Sequence, residues 1–375
     1  MKRINIVISI LCVCFVPGAW GQKVTCPTHF NWTEFHTIDT ARRNPCETVL
    51  NINNVGSLRL KWSVRVSADY SSPAVANGVV YVGSDDHNVY ALNARTGAKL
   101  WSYTTGSGVY SSPAVANGVV YVGSYDNNMY ALNAKTGALL WSYPTGYLVW
   151  PSPAVANGVV YVGSYDNNVY ALNAKTGALL WSYPTSGNVF SSPAVANGVV
   201  YVGSLDGNVY ALNASTGVLL WSYPTGSEEV DSSPAVVNGV VYVGAADGNV
   251  YALNASTGAK LWSYPTGGNV FPSPAVANGV VYVGSFDGNV YALNASTGAL
   301  LWSYPTGGQV WSSPAVANGV VYVGSDDANV YALNAKTGAK LWSYVLGSGV
   351  FPSPAVANGV VYVGAGYDAY AFGLK

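Results

Sequence analysis

Three carboxylates that stand close together are the residues best placed for catalytic chemistry. Glu228, Glu229 and Asp231 lie within four positions of one another. Paired carboxylates can act as general acid and general base in hydrolysis, and they can also accept hydrogen bonds from hydroxyl groups or hold a cation. Adjacent acids on one loop are usually solvated, so a carboxylate-based hydrolase is the last of three hypotheses for this chain. Variation without function in an exposed loop is the alternative.

A series of aromatic residues recurs at intervals of about 40 positions, and one member of the series is acidic. We call these eight positions the collar: Tyr70, Tyr110, Trp150, Phe190, Asp231, Phe271, Trp311 and Phe351. Aromatic rings can stack on a ligand, so the collar and the three acids are the candidate ligand-binding residues. The alternative is that the collar side chains only fill the space between neighbouring structural units.

Nucleophilic catalysis lacks a base in this sequence. Serines precede a proline in every repeat described below, but His87 is the only histidine between positions 58 and 375. An activated serine needs an adjacent general base, and a histidine in a turn is usually solvated. We therefore predict no catalytic residue and no metal site.

These residues stand on a repeat that covers most of the chain. A Ser-Pro-Ala-Val motif places its proline at Pro73, Pro113, Pro153, Pro193, Pro234, Pro274, Pro314 and Pro354. A tryptophan follows the same interval at Trp62, Trp101, Trp141, Trp181, Trp221, Trp262, Trp302 and Trp342. Periods of about 20 to 50 residues indicate solenoids or propellers.

One repeat unit predicts four short strands. An Asn-Gly pair at 117–118 is a strong hairpin signal and joins a first strand to a second at 119–123. Turn formers separate these from strands at 129–132 and 139–143. The first strand is built from small residues, which suits the crowded axis of a ring, and the last strand carries Leu, Trp and Tyr, which suits a wide rim. One unit is therefore one antiparallel blade.

The two ends of the repeat array predict a closed ring. The array begins with an isolated fourth strand at 58–64 and finishes after a third strand at 370–372. Pairing of these two strands removes the sheet edges that an open array would expose. The sequence thus predicts an all-β, eight-bladed β-propeller of four-stranded antiparallel blades, with the last blade closed by the N-terminal strand. The recurrent tryptophans are predicted to be structural packing anchors between blades.

The N-terminus predicts export. Lys2 and Arg3 precede an apolar stretch at 6–16, and small residues follow, which is the pattern of a signal peptide over 1–21. Residues 22–57 are then an N-terminal extension, in which we expect a Cys26–Cys46 disulfide in an oxidising compartment. Residues 58–375 are the propeller. We expect an exported protein, secreted or periplasmic.

Charge is sparse and is sorted between the two faces of the predicted ring. Charged residues make up 9% of the chain and the formal net charge is -1, so nucleic acid is not an expected partner. No apolar run beyond the signal peptide is long enough to span a bilayer. The acids of the propeller all map to the loops between blades and to the second turn of each blade. We call this side the variable face, because most differences between repeats fall there, and we expect a monomer.

The segment from Ala91 to Trp101, with Asn93, Thr96 and Gly97, resembles the repeat of the quinoprotein alcohol dehydrogenase-like β-propellers. The resemblance covers residues 58–375. This superfamily includes enzymes that use pyrroloquinoline quinone (PQQ) with calcium and non-enzymatic relatives such as the assembly lipoprotein BamB. The resemblance implies the propeller fold, whereas one fold carries many functions.

The chain departs from the dehydrogenase pattern in ways that bear on function. It has no long insertions between blades, no cysteine in the propeller and no position that matches the catalytic Asp. PQQ is a tricarboxylate, and no lysine or arginine stands in the collar to receive it. We therefore expect no cofactor and a non-enzymatic binding or scaffold module that recognises a protein or a carbohydrate through the variable face. A PQQ-dependent dehydrogenase is the alternative.

Overall fold

The computed structural model describes residues 31–35, 40–226 and 229–375. The predicted signal peptide, Cys26 and Glu228 lie outside these residues. In the described part, eight sheets are present and the one helix is a short 3-10 turn, Val55–Ser57. The predicted all-β, eight-bladed propeller is therefore confirmed.

Blades 1 to 7 each contain four consecutive antiparallel strands, named A to D from the axis to the rim. Their bounds, in this order, are as follows. Blade 1 has Ala74–Ala76, Val79–Gly83, Asn88–Asn93 and Lys99–Thr104; blade 2 has Ala114–Ala116, Val119–Gly123, Asn128–Asn133 and Leu139–Pro144. Blade 3 has Ala154–Ala156, Val159–Gly163, Asn168–Asn173 and Leu179–Pro184; blade 4 has Ala194–Ala196, Val199–Gly203, Asn208–Asn213 and Leu219–Pro224. Blade 5 has Ala235–Val237, Val240–Gly244, Asn249–Asn254 and Lys260–Pro265; blade 6 has Ala275–Ala277, Val280–Gly284, Asn289–Asn294 and Leu300–Pro305. Blade 7 has Ala315–Ala317, Val320–Gly324, Asn329–Asn334 and Lys340–Val345.

Blade 8 joins the two ends of the repeat array. Its strands A to C are Ala355–Ala357, Val360–Ala365 and Asp368–Gly373, and its strand D is Arg59–Arg65. Arg59–Arg65 pairs antiparallel with Asp368–Gly373. The predicted closure of the last blade by an N-terminal strand is therefore confirmed.

A ring of serine hydroxyls marks the closure at the axis. In each blade, the backbone N–H of the serine before the repeated proline donates to the Oγ of its counterpart in the next blade. These bonds begin with Ser72 to Ser112 at 2.9 Å, and Ser353 of blade 8 donates back to Ser72 at 2.9 Å. The eight bonds form a complete circle. The repeated serines are therefore structural.

The recurrent tryptophans lie between neighbouring blades. Trp141 of blade 2 donates its indole N–H to the carbonyl of Ala174 in blade 3 at 3.0 Å, and Tyr121 donates to the same carbonyl. Equivalent indole bonds come from Trp62, Trp101, Trp181, Trp221, Trp262 and Trp302. Trp342 differs because strand C of blade 8 has no turn after it. Its ring packs on Phe372, with the centroids 5.1 Å apart.

The described residues 32–35 and 40–44 of the N-terminal extension form a channel segment that lies against the innermost strands of the ring. Its residues contact the central valine of strand A in one blade after another. Trp32 pairs with Val75 of blade 1, and the contacts then pass through blades 2 and 3 at Thr33 and Glu34. Thr40, Ala41 and Arg42 contact blades 5, 6 and 7, and Asn44 contacts blade 8. Described residues thus reach seven of the eight blades, at about one residue per blade.

Arg42 is the buried cation of this channel segment. Its side chain is fully buried and its Nε donates to the carbonyl of Pro314 at 3.1 Å. The guanidinium stands over the Phe35 ring, 4.2 Å from the centroid, and burial lowers its pKa to about 9. Cys46, which follows this segment, is in a disulfide; its predicted partner Cys26 lies outside the described residues.

Candidate functional site

The collar residues converge on the variable face. This face is formed by the loops that join strand D to the next strand A and by the turns between strands B and C. Tyr70 lies at the centre of the contacts: its ring centroid is 5.2 Å from Tyr110, 5.6 Å from Trp150 and 5.9 Å from Phe351. Its side chain therefore reaches both neighbouring blades and the blade beyond.

The remaining collar rings extend this cluster in both directions. Trp150 contacts Phe190 at 5.8 Å. On the other side, Trp311 contacts Phe351 at 6.0 Å and Phe271 at 6.2 Å. The rings pack on one another, yet Tyr70 and Trp311 each remain 41% exposed. The collar is a continuous aromatic surface interrupted at Asp231, which takes the position between Phe190 and Phe271.

A second set of aromatic residues supports the collar, and the sequence analysis missed it. Tyr125, Tyr165 and Phe286 occupy the same position of the turn between strands B and C. Tyr125 lies 4.4 Å from Tyr110, and Tyr165 lies 4.0 Å from Phe190. A signal was present in the sequence, because the residue after the Gly-Ser pair of this turn varies among Tyr, Leu, Phe and Asp while its neighbours are constant.

Asp231 is held in an unfavourable position for a carboxylate. Its Oδ1 is buried without a hydrogen-bond partner. Burial, with the nearby charge of Glu229, raises its pKa to about 7. Tyr165 lies close enough for the charge of Asp231 to influence it, and its hydroxyl interacts with that of Tyr125. The structure thus places Asp231 beside Glu229 and Tyr165; Glu228, the third predicted acid, is outside the described residues.

Asp85 of blade 1 is a second carboxylate of this kind, which the sequence analysis did not select. It occupies the turn position that Tyr125 and Tyr165 hold in blades 2 and 3. Its Oδ1 is buried without a hydrogen-bond partner. Burial and the charges of Asp69 and Asp86 raise its pKa to about 6. It therefore lies beneath the most exposed part of the collar, within electrostatic reach of Tyr70.

The repeated aspartates of the same turns are different, because their oxygens are satisfied. Asp126 accepts from the backbone and side chain of Asn128, from the Tyr130 hydroxyl at 2.7 Å and from the Gly106 amide at 2.6 Å. Its equivalents make a similar set of bonds. They form the turn, as expected for Asp, and fasten the preceding loop to it. These acids are structural.

The charge of the variable face is negative around the collar. None of the collar or turn positions described above holds a lysine or an arginine. Arg65 stands at the outer edge of this face, where its guanidinium lies 4.9 Å from the centroid of the Tyr367 ring. His87 also lies in a turn of this face, with a left-handed φ of 72°.

The described residues contain neither a metal-binding cluster nor a membrane-spanning helix. No group of three or more His, Cys, Asp or Glu in 31–35, 40–226 and 229–375 is arranged to hold a metal ion. Within the same ranges, no helix is long and apolar enough to cross a membrane.

Comparison with known proteins places this architecture in a family. Residues 71–280, more than half of the chain, match the family model described as the β-propeller of the β-alanine-activating enzyme. Residues 265–374 match the model described as outer membrane protein assembly factor BamB. The chain belongs to the PQQ-repeat β-propeller family. The resemblance inferred from the repeat of Ala91 to Trp101 is therefore confirmed.

The curated relatives of this PQQ-repeat propeller match it over short segments. The quinoprotein alcohol dehydrogenase PedH of Pseudomonas putida is 34% identical over 71 residues, which is 18% of this chain and 12% of the relative. The quinohemoprotein alcohol dehydrogenase ADH-IIG of Pseudomonas putida is 35% identical over 77 residues, or 20% of this chain and 11% of the relative. The matched segments thus span about one eighth or less of the length of these relatives.

Solved structures share the fold at low identity. BamB from Moraxella catarrhalis superposes with a TM-score of 0.74 at 20% identity, covering 84% of this chain and 100% of that chain. A europium-containing methanol dehydrogenase superposes with a TM-score of 0.81 at 17% identity, covering 92% and 98%. BamB and a methanol dehydrogenase thus share this PQQ-repeat fold.

Proposed function

We propose that this PQQ-repeat propeller is an exported, non-enzymatic binding module that presents the collar of its variable face to a protein partner. The observation that carries the proposal is the convergence of the collar rings at the place where the repeat is least regular. A site that recognises one ligand must be built from residues that differ between blades. Two collar side chains, Tyr70 and Trp311, keep 41% of their surface exposed, and exposed aromatic clusters are typical of interaction surfaces.

The family matches support a protein partner over a carbohydrate. The BamB model is described as an outer membrane protein assembly factor, and an assembly factor acts by contacting other proteins. The solved BamB structure covers its whole length with this fold. Export accords with that relative and with the signal-peptide pattern at 1–21.

The test is capture from an extract of exported proteins by the immobilised propeller. Replacing Tyr70 and Trp311 by serine is expected to reduce the captured partner at least ten-fold, because the two most exposed collar rings are lost. The matched control replaces Leu140 and Leu180 by serine. Both leucines are 50% exposed on the rim, and their replacement should leave capture unchanged. Equal capture by both variants, or binding only to a glycan array, would contradict the proposal.

We also propose that the propeller binds no PQQ. The cofactor carries three carboxylates, and the collar offers it Asp231 and the nearby Asp85 rather than a basic side chain. The packed rings, with Tyr70 and Trp150 only 5.6 Å apart, also occupy the centre of the face. The residues therefore do not fit the group. Because two curated relatives are quinoprotein or quinohemoprotein alcohol dehydrogenases, a PQQ-dependent dehydrogenase is the alternative function.

Titration with PQQ, with and without calcium or a lanthanide, tests this second proposal. No stoichiometric change in PQQ absorbance is expected, because a tricarboxylate meets aromatic rings and acids at the collar and no basic side chain. A known quinoprotein dehydrogenase stripped of its cofactor serves as the positive control. One tightly held PQQ per chain together with dye-linked alcohol oxidation would establish the enzyme instead.

A further inference from the structure

We propose that the collar binds arginine side chains on an extended segment of the partner protein. This inference rests on the proposed function and specifies the chemistry of its partner. It follows from three features of the same face: an exposed aromatic surface, buried oxygen atoms that lack donors, and the absence of basic residues from the collar.

The aromatic surface provides stacking faces for a planar cation. Tyr70 and Trp311 are each 41% exposed and are linked through Phe351, whose ring contacts both at 5.9 and 6.0 Å. An arginine guanidinium stacks on aromatic faces, and such cation–π contacts are attractive. The exposed faces of these rings are therefore suited to this side chain.

The oxygen atoms that lack donors are concentrated on the same face. Among the described residues, the buried side-chain oxygen atoms without a hydrogen-bond partner include those of Asp85, Asn127, Ser191 and Asp231, which all lie in loops or turns of the variable face. Burial of an acceptor without a donor is costly, and each such group in a folded protein requires an explanation. A guanidinium supplies five N–H donors and no acceptor, so it complements the carboxylates of Asp85 and Asp231, which as whole residues are only partly buried.

The two carboxylates stand on opposite sides of the ring. Asp85 belongs to blade 1, and Asp231 precedes strand A of blade 5, so three blades lie between them in either direction around the ring. A segment that crosses the collar from one side to the other would meet one carboxylate near each end and aromatic rings between them. This placement predicts two arginines on one extended segment rather than a single bound cation.

The charge of the face distinguishes a basic segment from a neutral sugar. Sugar hydroxyls can also donate to Asp85 and Asp231, but they leave both negative charges uncompensated among further acids. Glu229 lies near Asp231, and Asp69 and Asp86 lie near Asp85. A guanidinium provides both donors and compensating charge, and it can bind a carboxylate through two parallel hydrogen bonds. Lysine provides the charge as a point and stacks less well.

Titration of the two carboxylates predicts the pH dependence of binding. The pKa of Asp85 is raised to about 6 and that of Asp231 to about 7, chiefly by burial. The groups that face Asp85 are Asp69, Asp86, Tyr70, Tyr110 and Tyr125, and those that face Asp231 are Glu229 and Tyr165. Both carboxylates become charged as pH rises, so affinity for a cation should increase from about pH 5 to about pH 8.

The experiment measures the binding of short synthetic peptides to the full chain by fluorescence anisotropy. Each peptide carries two arginines separated by two, four or six glycine and serine residues. Matched peptides carry citrulline, a neutral analogue of arginine, or lysine. At one spacing, the arginine peptide should bind at least ten-fold more tightly than the citrulline peptide and several-fold more tightly than the lysine peptide, with affinity increasing with pH.

Variants of the chain locate the site. Replacing both carboxylates, Asp85→Asn and Asp231→Asn, should weaken arginine-peptide binding at least ten-fold. The control, Asp368→Asn, removes one charge from the outer edge of the same face and should change binding less than two-fold. Melting curves verify that each variant folds, and the citrulline comparison uses the unaltered chain.

The outcomes separate this inference from the proposed function. Equal binding of arginine and citrulline peptides, or full binding by the Asp85 and Asp231 double variant, would overturn the arginine site. If no peptide binds while capture of an exported protein still depends on Tyr70 and Trp311, the arginine site is wrong and the proposed function stands. If capture is also independent of these two residues, the proposed function fails as well.

Discussion

A chain in which nine glycine and serine residues replace positions 58–66 is expected to lose its cooperative unfolding transition. The strand Arg59–Arg65 is the outer partner of Asp368–Gly373. Leu58, Trp62 and Val66 are buried at 2%, 8% and 3% exposure. Loss of buried side chains of this size costs roughly 2–5 kcal/mol each, so the total approaches the roughly 5–15 kcal/mol that stabilises a typical protein.

The control for this replacement moves the strand to the C-terminus instead of removing it. Residues 58–66 are added after Lys375 through a short linker, in the order that strands C and D have in every other blade. This variant should regain a single transition, seen at one temperature by circular dichroism and by tryptophan fluorescence. If the chain with positions 58–66 replaced melts like the natural chain, the closing strand is not needed for the folded propeller.

Replacing Trp141 by alanine is expected to lower the free energy of unfolding by about 3–5 kcal/mol, as for other large buried aromatic residues. Trp141 is 8% exposed and its indole bonds to Ala174 of the next blade at 3.0 Å. Its ring also packs against the turn at Gly177. The substitution therefore removes a contact between two blades, and urea unfolding measures the loss.

Two matched comparisons separate this contact from general destabilisation. Trp342→Ala should cost clearly less, because Trp342 is only partly buried and its indole N–H makes no hydrogen bond within the described residues. Gly177→Ala and Gly158→Ala both place alanine at a left-handed φ, +72° and +78°. An added Cβ at Gly177 would meet the Trp141 ring at 2.8 Å, whereas nothing lies within 4 Å at Gly158. Equal losses at the two glycines would show that the ring contact contributes nothing.

The strands of the propeller are predictable from sequence because each blade repeats its local rules. Asn117 and Gly118 both have positive φ, at 50° and 76°, as the tight hairpin requires. The same pair fixes the register of strands A and B in every copy, so the strand pattern predicted for one blade applies to all of them. Closure of blade 8 was also predictable, since the array begins with an isolated fourth strand and its last blade has only three.

The channel segment could not be predicted because it has no period of its own. Its contacts pass from blade to blade, apart from the two-residue strand Arg43–Asn44, which pairs parallel with strand A of blade 7. Its sequence therefore carries no repeat, and this strand is too short to leave a pattern. Its contacts are made largely to the backbone of strand A; for example, the backbone N–H of Val276 donates to the carbonyl of Ala41 at 2.9 Å. Backbone contacts of this kind are compatible with many different side chains in the segment. The same applies to Asp85 at the candidate site, because its burial depends on neighbouring aromatic side chains that only the folded propeller brings together.

The channel segment also bears on how the chain avoids exchanging blades with another copy of itself. Near-identical units can pair within one chain or between two chains with similar energy, and such repeats are prone to domain swapping. The described residues 32–35 and 40–44 contact seven blades of their own chain. A swapped dimer would have to divide those contacts between two rings. The segment thus favours assembly of all eight blades from one molecule.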